Sequence, residues 1–204
     1  MGADYQAIIR NLLAFHDLEG LTLISVGAGG GQLIEYGHRA ARVIAVDCDP
    51  AAVRALEVRL AETGLSEKFT IRTADFLEFG ERADAVLFEF SLHEMPDPDK
   101  ALAHAAGLAP DIIVMDHWTA SPWVRYIAEE DKVRRAWDAV GRAKPAQLMV
   151  HHTLQVYRDF EEIRKKFETW GPEPNRRIEE FRGKDGIIIP MSYGLAHIRS
   201  TSGN

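Results

Sequence analysis

The sequence predicts an α/β domain built on a mostly parallel sheet with helices on both faces, and three observations carry that reading. Leu21 to Asp47 reads as an apolar strand, a glycine turn, a helix and a second strand ending in a carboxylate. Apolar runs and helix-like segments then alternate along the chain, as repeated strand–helix units require. Near the end, Arg176 to Phe181 and Gly186 to Ile198 alternate apolar and polar, predicting an antiparallel hairpin linked by Gly183-Lys184-Asp185-Gly186.

Composition sets the outer bounds. The 204 residues, 46% of them hydrophobic, suit one domain spanning 1–204, with residues 1–18 as an N-terminal helix or lid and 118–158 as a candidate substrate-side lid. A net charge of −7 and a pI near 5.6 disfavour a surface that gathers phosphates, so nucleic acid is not an expected partner. The one cysteine, Cys48, excludes an internal disulfide and a multi-cysteine zinc site. Met1 to Asn11 lacks the apolar core of a signal peptide, and no apolar run approaches the ~20 residues that cross a bilayer. A cytoplasmic protein with no membrane partner is therefore expected, and the oligomeric state is left open.

Taken in order, Tyr5 to Phe15 spaces Ile8, Ile9, Leu12 and Phe15 as a packing helix, with Tyr5 a candidate lid residue and His16 in an exposed turn. Leu21 to Val26 is the first strand. Gly27-Ala28-Gly29-Gly30-Gly31 then presents bare backbone, and a helix is expected from Gln32 to Arg39. Arg42 to Asp47 is a buried strand whose terminal carboxylate lies beside the glycine turn. Asp49 and Pro50 read as N-cap and first residue of a helix buried through Val53, Leu56 and Leu60 and stopped by Gly64. Phe69 to Thr73 is an edge-ward strand, followed by Asp75 and Phe76. Ala83 to Phe90 is apolar enough for a central strand. Asp97 and Pro98 start another helix, and Asp111 to Met115 is a fifth strand, from which Asp116, His117 and Trp118 emerge. Pro122 to Ala143 is expected as one long amphipathic helix, Gln147 to Leu154 is ambiguous, and Asp159 to Trp170 is a charged helix ended by Gly171-Pro172.

The glycine spacing separates two classes of nucleotide ligand. A dinucleotide turn needs G-x-G-x-x-G, but Gln32 stands where the third glycine belongs. The compact Gly27, Gly29, Gly31 pattern instead resembles the first motif of class I S-adenosylmethionine-dependent methyltransferases. Asp47, the Asp75-Phe76 pair and the run Ser91-Leu92-His93-Glu94-Met95 before Asp97-Pro98 match later landmarks of that family, nearest to its small-molecule, ubiquinone/menaquinone-biosynthesis type. The resemblance covers roughly residues 20 to 198. It implies a Rossmann-like seven-stranded sheet closed by a C-terminal antiparallel hairpin, with S-adenosylmethionine bound by Gly27, Ala28, Gly29, Gly31, Asp47, Cys48, Asp75, Phe76 and Glu89. Asp47 would take the ribose, and Asp75 and Phe76 the adenine. One departure stands out: Ser25 occupies the place of an acid that usually helps hold the methionine amino group, leaving Glu89 or backbone carbonyls to do so.

The acceptor is expected to be a small molecule. Where its nucleophile carries a proton, a base near neutral pH is needed, and His93 and His117 are the candidates because both follow strands ending at the cofactor edge. His151 and His152 are adjacent on a candidate strand, so at most one faces such a site. Glu89, His93, Asp116 and His117 show no metal-ligand spacing, and no metal is expected. Trp118 and Trp123 are candidate walls for the acceptor. Two rival readings remain: a non-catalytic protein binding S-adenosylmethionine or S-adenosylhomocysteine, permitted by Ser25, and a nicotinamide-dependent reductase, disfavoured by Gln32 and the terminal hairpin.

Overall fold

The computed structural model describes residues 2–200. Its sheet has seven strands: β1 (Thr22–Val26), β2 (Arg42–Asp47), β3 (Phe69–Thr73), β4 (Ala85–Glu89), β5 (Asp111–His117), β6 (Gln147–Asp159) and β7 (Asp185–Arg199), in the order β3-β2-β1-β4-β5-β7-β6. The first five pair in parallel, while β7 runs antiparallel to both β5 and β6. Alternate strand residues feed two cores, as a period of two requires. Leu23, Ala45, Leu87 and Ile113 face one side. Ile24, Val46, Val86 and Ile112 face the other. Helices α1 (Tyr5–Phe15) and α2 (Pro50–Thr63) cover the first side, and α3 (Pro98–Leu108) covers the second.

The predicted helix starts hold in detail. Asp49 accepts from Ala51 N at 2.8 Å and Asp97 from Lys100 N at 3.0 Å, each followed by a proline in the first turn. Gly64 closes α2 in the left-handed conformation.

Five expectations fail for physical reasons. No α-helix forms over 32–39; Ile34–His38 is a short 3₁₀ turn. That stretch has no side-chain cap, contains Gly37, and is too short to offset the cost of helix nucleation. The long helix over 122–143 is two, α4 (Pro122–Ile127) and α5 (Glu130–Arg142), broken where Ala128 adopts φ 62°. The break lets Trp123 and Ile127 serve one core while Val133 and Trp137 serve the other. The charged helix α6 (Phe160–Phe167) stops before Trp170. Finally, Arg176 to Phe181 is helical, within α7 (Pro172–Ile178) and a following 3₁₀ turn. Glu173 pairs with Arg176 and Arg177 at helical spacing, which the strand reading overlooked. The hairpin partner of β7 is therefore β6. His16, expected exposed, is half-buried against His197, with ring centroids 4.7 Å apart.

The hairpin has one further property. His151 of β6 pairs with Tyr193, which pairs in turn with His117 at the end of β5. Residues 152–159 and 185–192 thus run on past the carboxyl edge of the parallel strands, and α6 folds back from their tip. Residues 118–158 comprise α4, α5 and most of β6, part of it in this overhang.

Candidate functional site

At the carboxyl edge of the sheet lie two cavities that share Gly27 and Phe90. The larger, about 450 Å³, is bordered by Asp47 and Cys48 after β2 and by Asp75 and Phe76 after β3. The smaller, about 250 Å³, is bordered by Gly27, Ala28 and Gly29 after β1, Glu89 and Phe90 at the end of β4, and His117 at the end of β5. The structure thus gathers all but two of the sequence-predicted site residues around these cavities. Gly31 borders neither and packs on Leu56 and Arg59 of α2. His93 also borders neither. Trp123 lines the smaller cavity, but Trp118 packs edge-on against Trp137, 4.8 Å away, and is no wall.

The glycine turn is shaped by crowding as well as by dihedral angles. Gly27 has φ 72°, and a Cβ there would overlap the Cβ of Ser91. Ser91 is fixed in place by donating to Val26 O at 2.6 Å. Gly29 also has positive φ, but a Cβ there would meet nothing closer than 3.7 Å. Its amide donates to Asp47 Oδ2 at 3.1 Å, while Asp49 N donates to Asp47 Oδ1 at 2.9 Å. Each Asp47 oxygen retains a lone pair for a ligand. Asp75 accepts from Leu77 N, and Phe76 packs its edge on Phe88. Phe90 has φ 50°, a left-handed conformation that non-glycine residues adopt at a cost of ~1–3 kcal/mol and that often marks functional sites.

Glu89 is buried beside Ser25. Tyr36 donates to Glu89 Oε2 at 3.0 Å and lies 2.9 Å from Ser25 Oγ, which itself donates to Glu89 at 3.3 Å. Burial pushes the Glu89 pKa up to about 8, more than the two hydrogen bonds lower it, and the charge of Asp47 adds to the rise. A buried carboxyl with only hydroxyl partners is suited to receiving a cation. Sequence reasoning missed Tyr36 because it lay in a segment read as an ordinary helix.

The two histidines differ sharply. His93 Nδ1 lies 2.5 Å from Asp116 Oδ1, and its Nε2 lies 3.1 Å from Glu129 and 3.5 Å from Glu94. Burial lowers its pKa, but Asp116 and the two glutamates outweigh that and hold it up at about 12, so it is a fixed imidazolium. His93, Glu94 and Glu129 bring three donor atoms together in the manner of a metal site. Lys132, however, already bridges Glu94 and Glu129 at 2.6 and 3.2 Å. His117 is pushed down to about 3 by burial and then by the positive charge of His93, so it is neutral. Its buried Nδ1 has no hydrogen-bond partner among the described residues, a vacancy that calls for an explanation.

Comparison with known proteins agrees with this geometry. Residues 24–109 match a family model described as a methyltransferase domain. Over 110 residues the chain is 32% identical to the ubiquinone biosynthesis O-methyltransferase of Paramagnetospirillum magneticum, an alignment covering 52% of this chain and 44% of that one. The chain thus spans less than half the length of the curated relative it matches. Among solved structures, a candidate methyltransferase from Bacillus halodurans C-125 superposes with TM-score 0.71 at 14% identity, covering 95% of this chain and 99% of the other. Magnesium protoporphyrin IX methyltransferase from Synechocystis PCC 6803, with bound S-adenosylhomocysteine, superposes with TM-score 0.59 at 16% identity, covering 96% and 81%. No helix among the described residues is long and apolar enough to cross a membrane. Residues 24–109 thus match a methyltransferase domain, and the strand order and whole-chain superpositions give the chain the fold of solved methyltransferases.

Proposed function

We propose that this chain transfers a methyl group from S-adenosylmethionine to a small organic molecule in the cytoplasm, leaving S-adenosylhomocysteine. The observation that carries the reading is the pair of cavities joined at Gly27 and Phe90, one bordered by Asp47 and Asp75, the other by Glu89 and His117. The bound cofactor supplies a methyl group that is already electrophilic on its sulfonium. The protein's part is placement, water exclusion and handling of the acceptor's proton. In this reading Asp47 takes the ribose hydroxyls, Asp75 and Phe76 hold the adenine beside Cys48, and Glu89 takes the methionine ammonium in place of the acid that Ser25 lacks. Ala3, Tyr5 and Ile8, with the overhanging hairpin, cover the smaller cavity as a lid. Turnover of a metabolite panel, with a binding titration against S-adenosylhomocysteine and NAD, tests the reading. Cofactor binding without any turnover would favour a non-catalytic role, and preference for NAD would favour a reductase.

Three expected results follow at single residues. Asp47→Ala weakens S-adenosylhomocysteine binding by about 2–3 kcal/mol, the scale of hydrogen bonds to a charged group; unchanged affinity by calorimetry removes Asp47 from the site. Glu89, protonated below about pH 8 in the free protein, must ionise to meet an ammonium. Binding at pH 7 therefore releases a proton, affinity climbs as pH rises toward 8, and both effects vanish in Glu89→Gln. Calorimetry in two buffers of different ionisation heat reads this directly.

The histidines yield the third. With His93 held near 12 and His117 near 3, neither titrates in the ordinary imidazole range. His117 is too weakly basic for strong general-base catalysis; as a neutral ring on the cavity wall it aligns the acceptor by a hydrogen bond. The rate should therefore show no imidazole inflection near neutral pH, and His117→Gln should cost about tenfold or less in kcat, below the usual scale for loss of a general base. A wild-type inflection near pH 6.5 that His117→Gln abolishes would restore the general-base role.

A further inference from the structure

The smaller cavity contains one cation, and the site as described so far gives it no task. Lys166 of α6 borders this cavity beside Trp123 and Trp170, with its ammonium 5.6 and 6.0 Å from the two ring centroids. It is half-buried, and no carboxylate lies within ion-pair distance of it among the described residues. Its neighbour on the helix, Arg164, is paired with Glu161. Burial lowers the Lys166 pKa, as expected of an ammonium short of water and of a counter-charge.

Position separates Lys166 from the cofactor's anchors. The glycine turn follows β1, whereas α6 follows the edge strand β6, beyond β4, β5 and β7 in the sheet. The cavity wall also carries Tyr5, Phe90, Trp123, Trp170 and His117, whose buried Nδ1 has no hydrogen-bond partner among the described residues, and Trp123 and Trp170 meet edge-on with ring centroids 6.1 Å apart. At about 250 Å³ the space falls just below the usual range for ligand pockets, which limits an acceptor to about one ring. A single lysine is a point charge suited to a monoanion; it lacks the paired donors that a phosphate dianion favours.

We propose that the methyl acceptor is a small aromatic acid whose carboxylate is held by Lys166, on the part of the cavity wall that Lys166 shares with Trp123 and Trp170. This rests on the methyltransferase reading above. The aromatic lining of the cavity suits a ring, Lys166 fixes its acidic end, and the nucleophilic substituent is left toward His117. For a phenolic acceptor the hydroxyl oxygen forms the new C–O bond as the S–CH₃ bond breaks. The bonding pair passes to sulfur, giving the thioether, and the phenolic proton leaves to solvent.

The test is calorimetry on the full chain loaded with S-adenosylhomocysteine, using benzoate and 3- and 4-hydroxybenzoate against the corresponding neutral amides. The acids are expected to bind about tenfold or more tightly than the amides. That preference should disappear in Lys166→Met, survive in Lys166→Arg, and leave S-adenosylhomocysteine affinity unchanged in both. Equal binding of acids and amides by a wild type that binds S-adenosylhomocysteine overturns this proposal and leaves the methyltransferase reading intact. Loss of S-adenosylhomocysteine affinity in Lys166→Met, with the acid preference retained, also overturns it, because Lys166 would then serve the cofactor's own carboxylate. Failure of the wild type to bind S-adenosylhomocysteine at all overturns both. Should Lys166→Met not fold, loss of the preference in Lys166→Gln supports the proposal and its retention overturns it.

Discussion

Gly27→Ala is expected to abolish S-adenosylhomocysteine binding and to destabilise the fold by about 2–5 kcal/mol. The strain has two sources. An alanine at φ 72° incurs the left-handed penalty of about 1–2 kcal/mol. Its Cβ also overlaps that of Ser91, and relieving an overpacked contact costs about 1–3 kcal/mol more. Ser91 cannot retreat without giving up its bond to Val26 O, and moving it shifts the boundary shared by the two cavities. Gly29→Ala is the control, since a Cβ there finds open space and only the dihedral penalty applies. Urea unfolding should show a clearly smaller loss for Gly29→Ala. Equal losses would mean that the contact with Ser91 carries no energy.

His93→Leu is expected to cost about 3–5 kcal/mol, because it takes the counter-charge from buried Asp116, leaving it only the backbone amides of residues 93 and 117, and leaves Glu129 with Lys132 alone. The side chain of Asp116 is 1% exposed, so water cannot replace the imidazolium. The pH dependence distinguishes an ion pair from simple packing. The folded pKa of His93 is raised, so its contribution is complete below the unfolded value near 6.5 and is lost as pH climbs toward about 12. The stability gap between wild type and His93→Leu should therefore narrow from pH 6.5 to 9.5, as measured by denaturant unfolding. A gap independent of pH would show that His93 acts by volume alone.

Much of the sheet edge that carries the proposed cofactor site was legible because its signals are local. Asp49-Pro50 and Asp97-Pro98 announce helix starts through backbone chemistry that needs no distant partner. Asp47, Asp75 and Glu89 sit at the ends of apolar runs, and parallel pairing brings such ends to one edge. What escaped depends on contacts between remote segments. Arg164, Lys165 and Lys166 lie in a stretch read only as a charged helix, and only the fold of α6 over the cavity singles out the last of them. The imidazolium of His93 depends on Asp116 and Glu129, which come from two other places in the chain, and the neutral His117 depends on burial and on that imidazolium. Reading Arg176 to Phe181 as a strand mistook an amphipathic helical turn for alternation, and so assigned β7 the wrong partner.

The overhang of β6 and β7 divides the labour of the chain along its length. The glycine turn and the carboxylates proposed to hold the cofactor, Asp47, Asp75 and Glu89, fall within residues 24–109, the stretch that matches the family model. Gln155, Lys166, Trp170 and Met191, which close the smaller cavity, all come later. On the proposed function, most of the cofactor's anchors and the later part of the acceptor's wall are thus written in separate stretches of sequence. If the proposed function holds, substitutions in the hairpin and α6 retune which molecule is methylated while the residues proposed to hold the methyl donor stay as they are, a separation that makes the C-terminal third the natural target for redesigning specificity.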